Sequence, residues 1–327
     1  MGRRGSYKVE NKMKLLFKLF FVICIGLQAF SNVLVVSGEQ RKFSLFTEKL
    51  IEFGKKSTVN YEKKSFSKDT DYKEFESYVK SRPDTKIIIT VDNKYLSFLK
   101  KYNEKNKPVR GISVLALNLE EQLKDETNIA GIRYEPSAFS LFSSLRYNVL
   151  PDAKKLLVIY RSSVLKKQIE KASKELKFVG GELVKLDVMS FKGEELKDKL
   201  KMALKQTSAL EYDAIWVPLD SVLLSPELFI NQWLPFTQNQ EKPIVVQSES
   251  LADVKLNFAT YAVSPNLFDL ADQTKQLVEL VLSGKSDIKT IGIEESISIQ
   301  KYINTKMLND LGIKLRNDLE DIVYLRK

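Results

Sequence analysis

The sequence predicts an α/β protein in two lobes, each a parallel sheet flanked by helices, joined by a hinge of several strands. Three observations predict it. Apolar runs of about four to eight residues alternate with segments of helical period, as expected of strands buried on both faces. The alternation fills both halves of the chain with the same βα rhythm and no short repeat inside it. And 327 residues are long for one compact core but comfortable for two.

Taken in order, NVLVVSG (32–38) is a short apolar strand, and FSLFTEKLIEFG (43–54) is a helix with Phe43, Phe46, Leu50 and Phe53 on one face and Gly54 as its stop. A polar stretch leads to the helical segment DYKEFESYVKS (71–81), the buried strand KIIITVD (86–92) and the helix YLSFLKKYNEK (95–105). VRGISVLAL (109–117) reads as a strand, and IAGIRYEPS (129–137) extends until Pro136 stops it. The second half repeats the plan with KLLVIYRSS (155–163), a helix to Leu176, GELVKLDV (181–188) and a helix from Gly193 to about Ser208. The strand at 214–217 then ends in Pro218, with Asp220 and Ser221 just beyond it, before the helix SPELFINQWLPF (225–236) and the strand PIVVQSES (243–250).

The end of the chain departs from this rhythm. LNFATYAVSP (256–265) predicts a strand leading to Ser264 as helix cap, with Pro265 at the first helical position. Leu267, Leu270, Ala271, Leu277, Val278, Val281 and Leu282 mark one face of a long helix that Gly284 ends. SISIQKYIN (296–304) is extended, and KMLNDLGIKL (306–315) carries a last helix. Late elements of this kind would be shared between lobes. The expected division is a first lobe of 32–133 plus about 265–292, and a second of 134–264 plus about 293–327.

Residues 1–31 look like an export leader. MKLLFKLFFVICIGLQAFS begins at Met13, a candidate start codon, and is apolar apart from Lys14 and Lys18. Ala29 and Ser31 are small residues at minus three and minus one, which predicts a mature start near Asn32. Cleavage would release an extracytoplasmic protein; an uncleaved leader would leave it membrane-anchored. Cys24 is the only cysteine, and Ile23 before it does not suit lipidation. The formal charge of +10 falls to about +5 without the leader, 46 basic against 41 acidic residues, with no arginine cluster or basic stripe. Nucleic acid is therefore not an expected partner. With no histidine and no cysteine beyond the leader, imidazole acid–base chemistry, serine–histidine triads and most zinc sites are excluded. No glycine-rich phosphate loop occurs. No cofactor, metal or catalytic group is expected.

Five stretches in order carry a family resemblance. They are NIAGIRYEPS (128–137), VLPDAKKLLVIY (149–160), EYDAIWVPLDSVLLS (211–225), LVLSGK (280–285) and YINTKMLNDLGIKL (302–315). The chain resembles the ABC-transporter substrate-binding proteins of the type I periplasmic-binding-protein-like fold, in the branch that includes tryptophan- and tyrosine-type binders. The resemblance implies a monomer that captures a small polar, amino-acid-like solute by hinge closure and works with an ABC permease and its ATPase. It departs from that branch at Asp92-Asn93-Lys94-Tyr95, where an Ala- and Gly-rich loop is usual, and in the glycines missing near LADVKLNF and LFDLADQT. Those departures favour a differently lined pocket, or a second reading: a non-transport sensor or accessory that binds a membrane receptor.

Open parallel sheets bind ligands beyond the carboxyl ends of their strands, so the candidate site residues lie there. Asp220, matching the family's Pro-x-Asp, would accept hydrogen bonds from a ligand amine; equally, Asp220 or Ser221 would cap the helix near Ser225. Arg161 and Ser162, at a strand end before a helix, would hold a carboxylate, or Ser162 is only a cap. Ser37 and Gly38 allow close backbone approach or serve a turn. Asp92 and Asn93 offer polar contacts or a cap. Tyr134 and Glu135 would line the cleft from the first crossover or form a solvated hinge. Gln247 and Ser248, with Glu249, end another strand. Trp216 and Trp233 read as core.

Overall fold

The computed structural model describes residues 31–55, 57, 59–189, 193–315 and 322–325; the leader expected at 1–31 lies almost wholly outside them. Two sheets organise the described chain. The first has the order β11-β5-β4-β3-β1-β2 and contains β1 (Ser31–Gly38), β2 (Val59–Phe66), β3 (Thr85–Val91), β4 (Arg110–Val114), β5 (Ile129–Ile132) and β11 (Ile293–Glu294). All its pairings are parallel. The second runs β13-β12-β10-β9-β8-β6-β7, from β6 (Lys155–Tyr160), β7 (Glu182–Asp187), β8 (Ala214–Val217), β9 (Ile244–Val246), β10 (Tyr261–Pro265), β12 (Ile299–Asn304) and β13 (Ile322–Leu325). Only the β10–β12 pair is antiparallel.

Successive side chains of a strand point to opposite faces, so a continuous apolar run needs cover on both. In the first sheet Val33, Val35, Ile87 and Ile89 meet Phe46 and Leu50 of α1 (Arg41–Gly54) and Leu277 and Val281 of α8 (Leu267–Leu282). Leu34, Val36 and Ile88 face the other way, onto α2 (Tyr72–Lys80) and α3 (Asn93–Lys105). Likewise in the second sheet, Leu156, Val158 and Trp216 face α5 (Ala138–Asn148) and α6 (Ser162–Phe178), while Leu157, Ile159 and Val217 face α7 (Gly193–Gln206) and Trp233. The two tryptophans are fully buried, as expected.

The chain passes between the units three times: after β5, between β10 and α8, and between β11 and β12. Ile293–Glu294, expected at the start of the second lobe, pair with β5 in the first sheet.

Several local expectations are corrected. β2 was hidden in a polar stretch, because it is an edge strand whose ends alone, Val59 and Phe66, are buried. α5 forms where no element is expected, with Leu141, Phe142 and Leu145 buried in the second unit's core. Ser264 and Pro265 belong to β10, and the cap is Asn266, whose side chain accepts from the Phe268 amide. The expected helix over 225–236 breaks into Pro226–Leu228, a π turn at Phe229–Trp233 and Leu234–Thr237; Pro235 lacks the N–H that would continue a regular helix there. Gly54 does end α1, but the next residue, Lys55, is right-handed. The glycine is needed for another reason: a Cβ there would overlap the ring of Tyr61 on β2.

Candidate binding cleft

The carboxyl ends of the two sheets meet. Leu219, just past β8, packs against the first unit's core. Asn118, beside α4 (Leu119–Gln122), donates its side-chain amide to the Val164 carbonyl in α6 at 3.3 Å, and Lys167 of α6 pairs with Glu121 of α4 at 2.8 Å. At the first crossover, the Gln247 side chain donates to the Pro136 carbonyl at 2.7 Å and accepts from the Trp216 indole at 3.3 Å. Gln247 is therefore a buried tie between strand and hinge.

On the first unit's rim, Asp92 caps α3 by accepting the Tyr95 amide at 3.1 Å. Its φ of 101° is a region that favours glycine, and burial raises its pKa. Asn93 clamps the loop after β4, donating to the Leu117 carbonyl at 3.1 Å and accepting the Leu117 amide at 2.6 Å. Ser37 is buried with its hydroxyl 3.4 Å from that of Ser65. A Cβ at Gly38 would make only ordinary contacts, 3.6 Å from Phe43 and 3.7 Å from Asp92, so no steric need for glycine exists there.

Tyr134 is buried, and Lys42, from the first turn of α1, donates to its hydroxyl. Burial pushes the Lys42 ammonium down to about 8, against the opposing pull of Glu249. Glu249 follows β9 on the second unit, so this attraction spans the junction. Glu249 also acts on Tyr302 of β12, whose pKa is raised first by burial and then by that carboxylate. Ser248, next to it, is 2.9 Å from the Ser250 hydroxyl. Glu135 is buried with one carboxylate oxygen accepting the Asn118 amide at 2.7 Å, and burial lifts it to about 7.

On the second unit's rim, Asp220 and Arg161 find each other. Arg161 Nε donates to Asp220 Oδ2 at 2.7 Å and Nη2 to Oδ1 at 2.8 Å, a bidentate pair with both side chains buried. Oδ1 also accepts the amides of Val222 at 2.8 Å and Leu223 at 3.1 Å. Asp220 thus orders its own loop, and Ser221 beside it is exposed. The Ser162 amide donates to Asp187 at 3.0 Å.

A cavity of about 640 Å³ opens at the junction near Glu135 and Pro136, lined from the first unit by Asn118, Glu121 and Arg133 and from the second by Ser162, Lys167 and Lys171. That is room for a small ligand. The arrangement supplies charges of both signs and fixed hydrogen-bond donors. Among the described residues no cluster of His, Cys, Asp and Glu could hold a metal ion, and no helix is long and apolar enough to cross a membrane. Sequence reasoning missed Lys42 and Leu219. A lysine in the first turn of an amphipathic helix looks like solvated surface, and only the tertiary fold turns it onto Tyr134.

The model of a family described as ABC transporter substrate binding protein matches residues 42–322. Among curated proteins none matches the sequence. Solved structures share the fold. A Streptococcus pneumonia ABC domain in complex with L-Trp is 15% identical over 90% of this chain and 100% of its own, with TM-score 0.61. A ligand-free, open substrate binding protein with adhesive properties from Clostridium difficile is 15% identical over 90% and 99%, with TM-score 0.65. A periplasmic ribose ABC transporter from Conexibacter woesei is 14% identical over 87% and 96%, with TM-score 0.53.

Proposed function

The chain belongs to the ABC transporter substrate-binding protein family, and from that premise we propose that it captures a small polar, amino-acid-like solute between its two units. It works outside the cytoplasm as a monomer, delivers the solute to an ABC permease with its ATPase, and alters no bond in it. The lobes divide near residues 133, 265 and 295, and the leader ends near Ser31. One observation carries the reading: at the junction Lys42 of the first unit donates to the Tyr134 hydroxyl of the first crossover, within the field of Glu249 from the second unit. A solute bearing both an anionic group and a hydrogen-bond donor would satisfy each of them and would do so best with the units closed. Closure expels water, which strengthens every charged contact inside. One similar structure is itself an L-Trp complex, which agrees with this ligand class.

A second reading, a sensor or accessory protein docking on a membrane receptor, has its own support. Asp220 is engaged by Arg161 and its own loop, and Leu219 occupies the junction. Calorimetry with amino acids, peptides, nucleosides and sugars separates the two. The transport reading expects a solute that binds and contracts the protein in small-angle scattering, with Lys42→Met weakening it at least about tenfold, the worth of a charged hydrogen bond. A flat screen, with a stable protein partner instead, selects the accessory.

A further inference from the structure

The Arg161 side chain is more than nine-tenths buried, yet its donors are not all used. Nε and Nη2 are committed to Asp220. Nη1 has no hydrogen-bond partner among the described residues. A guanidinium buried to this degree and gripped along one edge offers its remaining edge in a fixed direction. The pair sits among junction contacts: Leu219, next to Asp220, packs against the first unit's core, and Val164, three residues past Arg161, accepts from Asn118. Asp220 has the opposite standing. Its Oδ1 takes three donors and its Oδ2 a fourth, so a ligand amine would have to displace Arg161 to use it.

We infer that Arg161 is the residue that reads a carboxylate on the solute, and that Asp220 is a positioning residue that aims it instead of a contact for the solute's amine. The inference rests on the solute-binding reading above and narrows it: the cleft requires a carboxylate and tolerates replacement of the amine by another donor. Planar fork-to-carboxylate pairing is the contact an arginine edge makes best. An amine without an acid group finds no free partner at Asp220 and leaves the Arg161 edge unmet, so it binds far more weakly than its acid.

Matched trios test this: an amino acid, the amine left when its carboxylate is removed, and the hydroxy acid in which hydroxyl replaces the amine. Each is titrated calorimetrically into the full chain. The expected result is that acid and hydroxy acid bind within about tenfold of each other, while the amine is at least a hundredfold weaker. Arg161→Gln should lose tenfold or more for the acids, and Arg161→Lys should keep the preference at reduced affinity. Asp220→Asn should weaken the acids without admitting the amine. Because Arg161→Gln strands a buried carboxylate, Arg161→Met combined with Asp220→Leu serves as the folded control, and it too should lose the acids. An amine that binds as well as its acid, or acid affinity unmoved in these variants, overturns the role of Arg161 while leaving the cleft reading intact. If no member of any trio binds, the solute reading itself falls and this inference falls with it.

Discussion

Two buried carboxylates at the junction make a useful contrast. Asp220, on the second unit, has a guanidinium across both oxygens and two amides besides. Glu135, on the first crossover, is as deeply buried but has the Asn118 amide and no described ion pair. Burial lifts the Glu135 carboxyl to about 7. Depth alone therefore does not decide what a buried acid does. The number and charge of its donors do, and they divide the junction into a fixed charged clamp and a titratable hinge.

The largest effect should come from breaking the clamp. Arg161→Met leaves Asp220 buried without its cation and should destabilise the protein by about 3–5 kcal/mol in chemical denaturation. Adding Asp220→Leu should recover most of that loss, because two apolar side chains leave no stranded charge. A single substitution within about 1 kcal/mol of wild type would mean the clamp contributes no more than a surface pair.

Glu135 gives a smaller, pH-dependent effect of definite sign. Its folded pKa of about 7 stands above the ordinary 4.5, so between those values the folded state holds a proton that the unfolded state releases. Its contribution to stability is complete below about pH 4.5, declines as pH rises, and is gone above about 7, a total of roughly 3 kcal/mol. Glu135→Gln should flatten this component. Denaturation midpoints of both proteins between pH 4.5 and 8 measure it, and parallel curves would place the titration elsewhere.

The smallest effect belongs to the exposed bridge between the units. Lys167 and Glu121 are solvent-screened, so Lys167→Ala should leave the thermal midpoint unchanged. Small-angle scattering at low and high salt would show whether the pair holds the units together at all. Salt-independent dimensions would confine closure to the buried contacts.

The legibility of the chain follows the same physics. β1, β3, β6 and β8 were readable because a strand buried on both faces has no room for polar residues, and α8 because its apolar face is long and periodic. β2 was not readable, since an edge strand facing solvent is composed like a loop. The three-piece segment at 226–237 kept its helical pattern while Pro235 broke the regular bonding. Arg161 and Asp220 are legible as neighbours of strand ends, but nothing in the sequence says that they bind each other, 59 positions apart. Lys42 escaped because its significance lies in a contact with Tyr134, 92 positions away in the chain.

What the sequence determined by itself is the alternation of buried strands with covering helices, the late crossing elements, and the absence of histidine and of any cysteine past Cys24. Each is fixed by local composition and period, which survive any arrangement in space. Only the tertiary structure decided which charges are spent on one another and which remain available. Pairing, desolvation and the direction of a free donor depend on distances between residues far apart in the chain, and no local pattern encodes them.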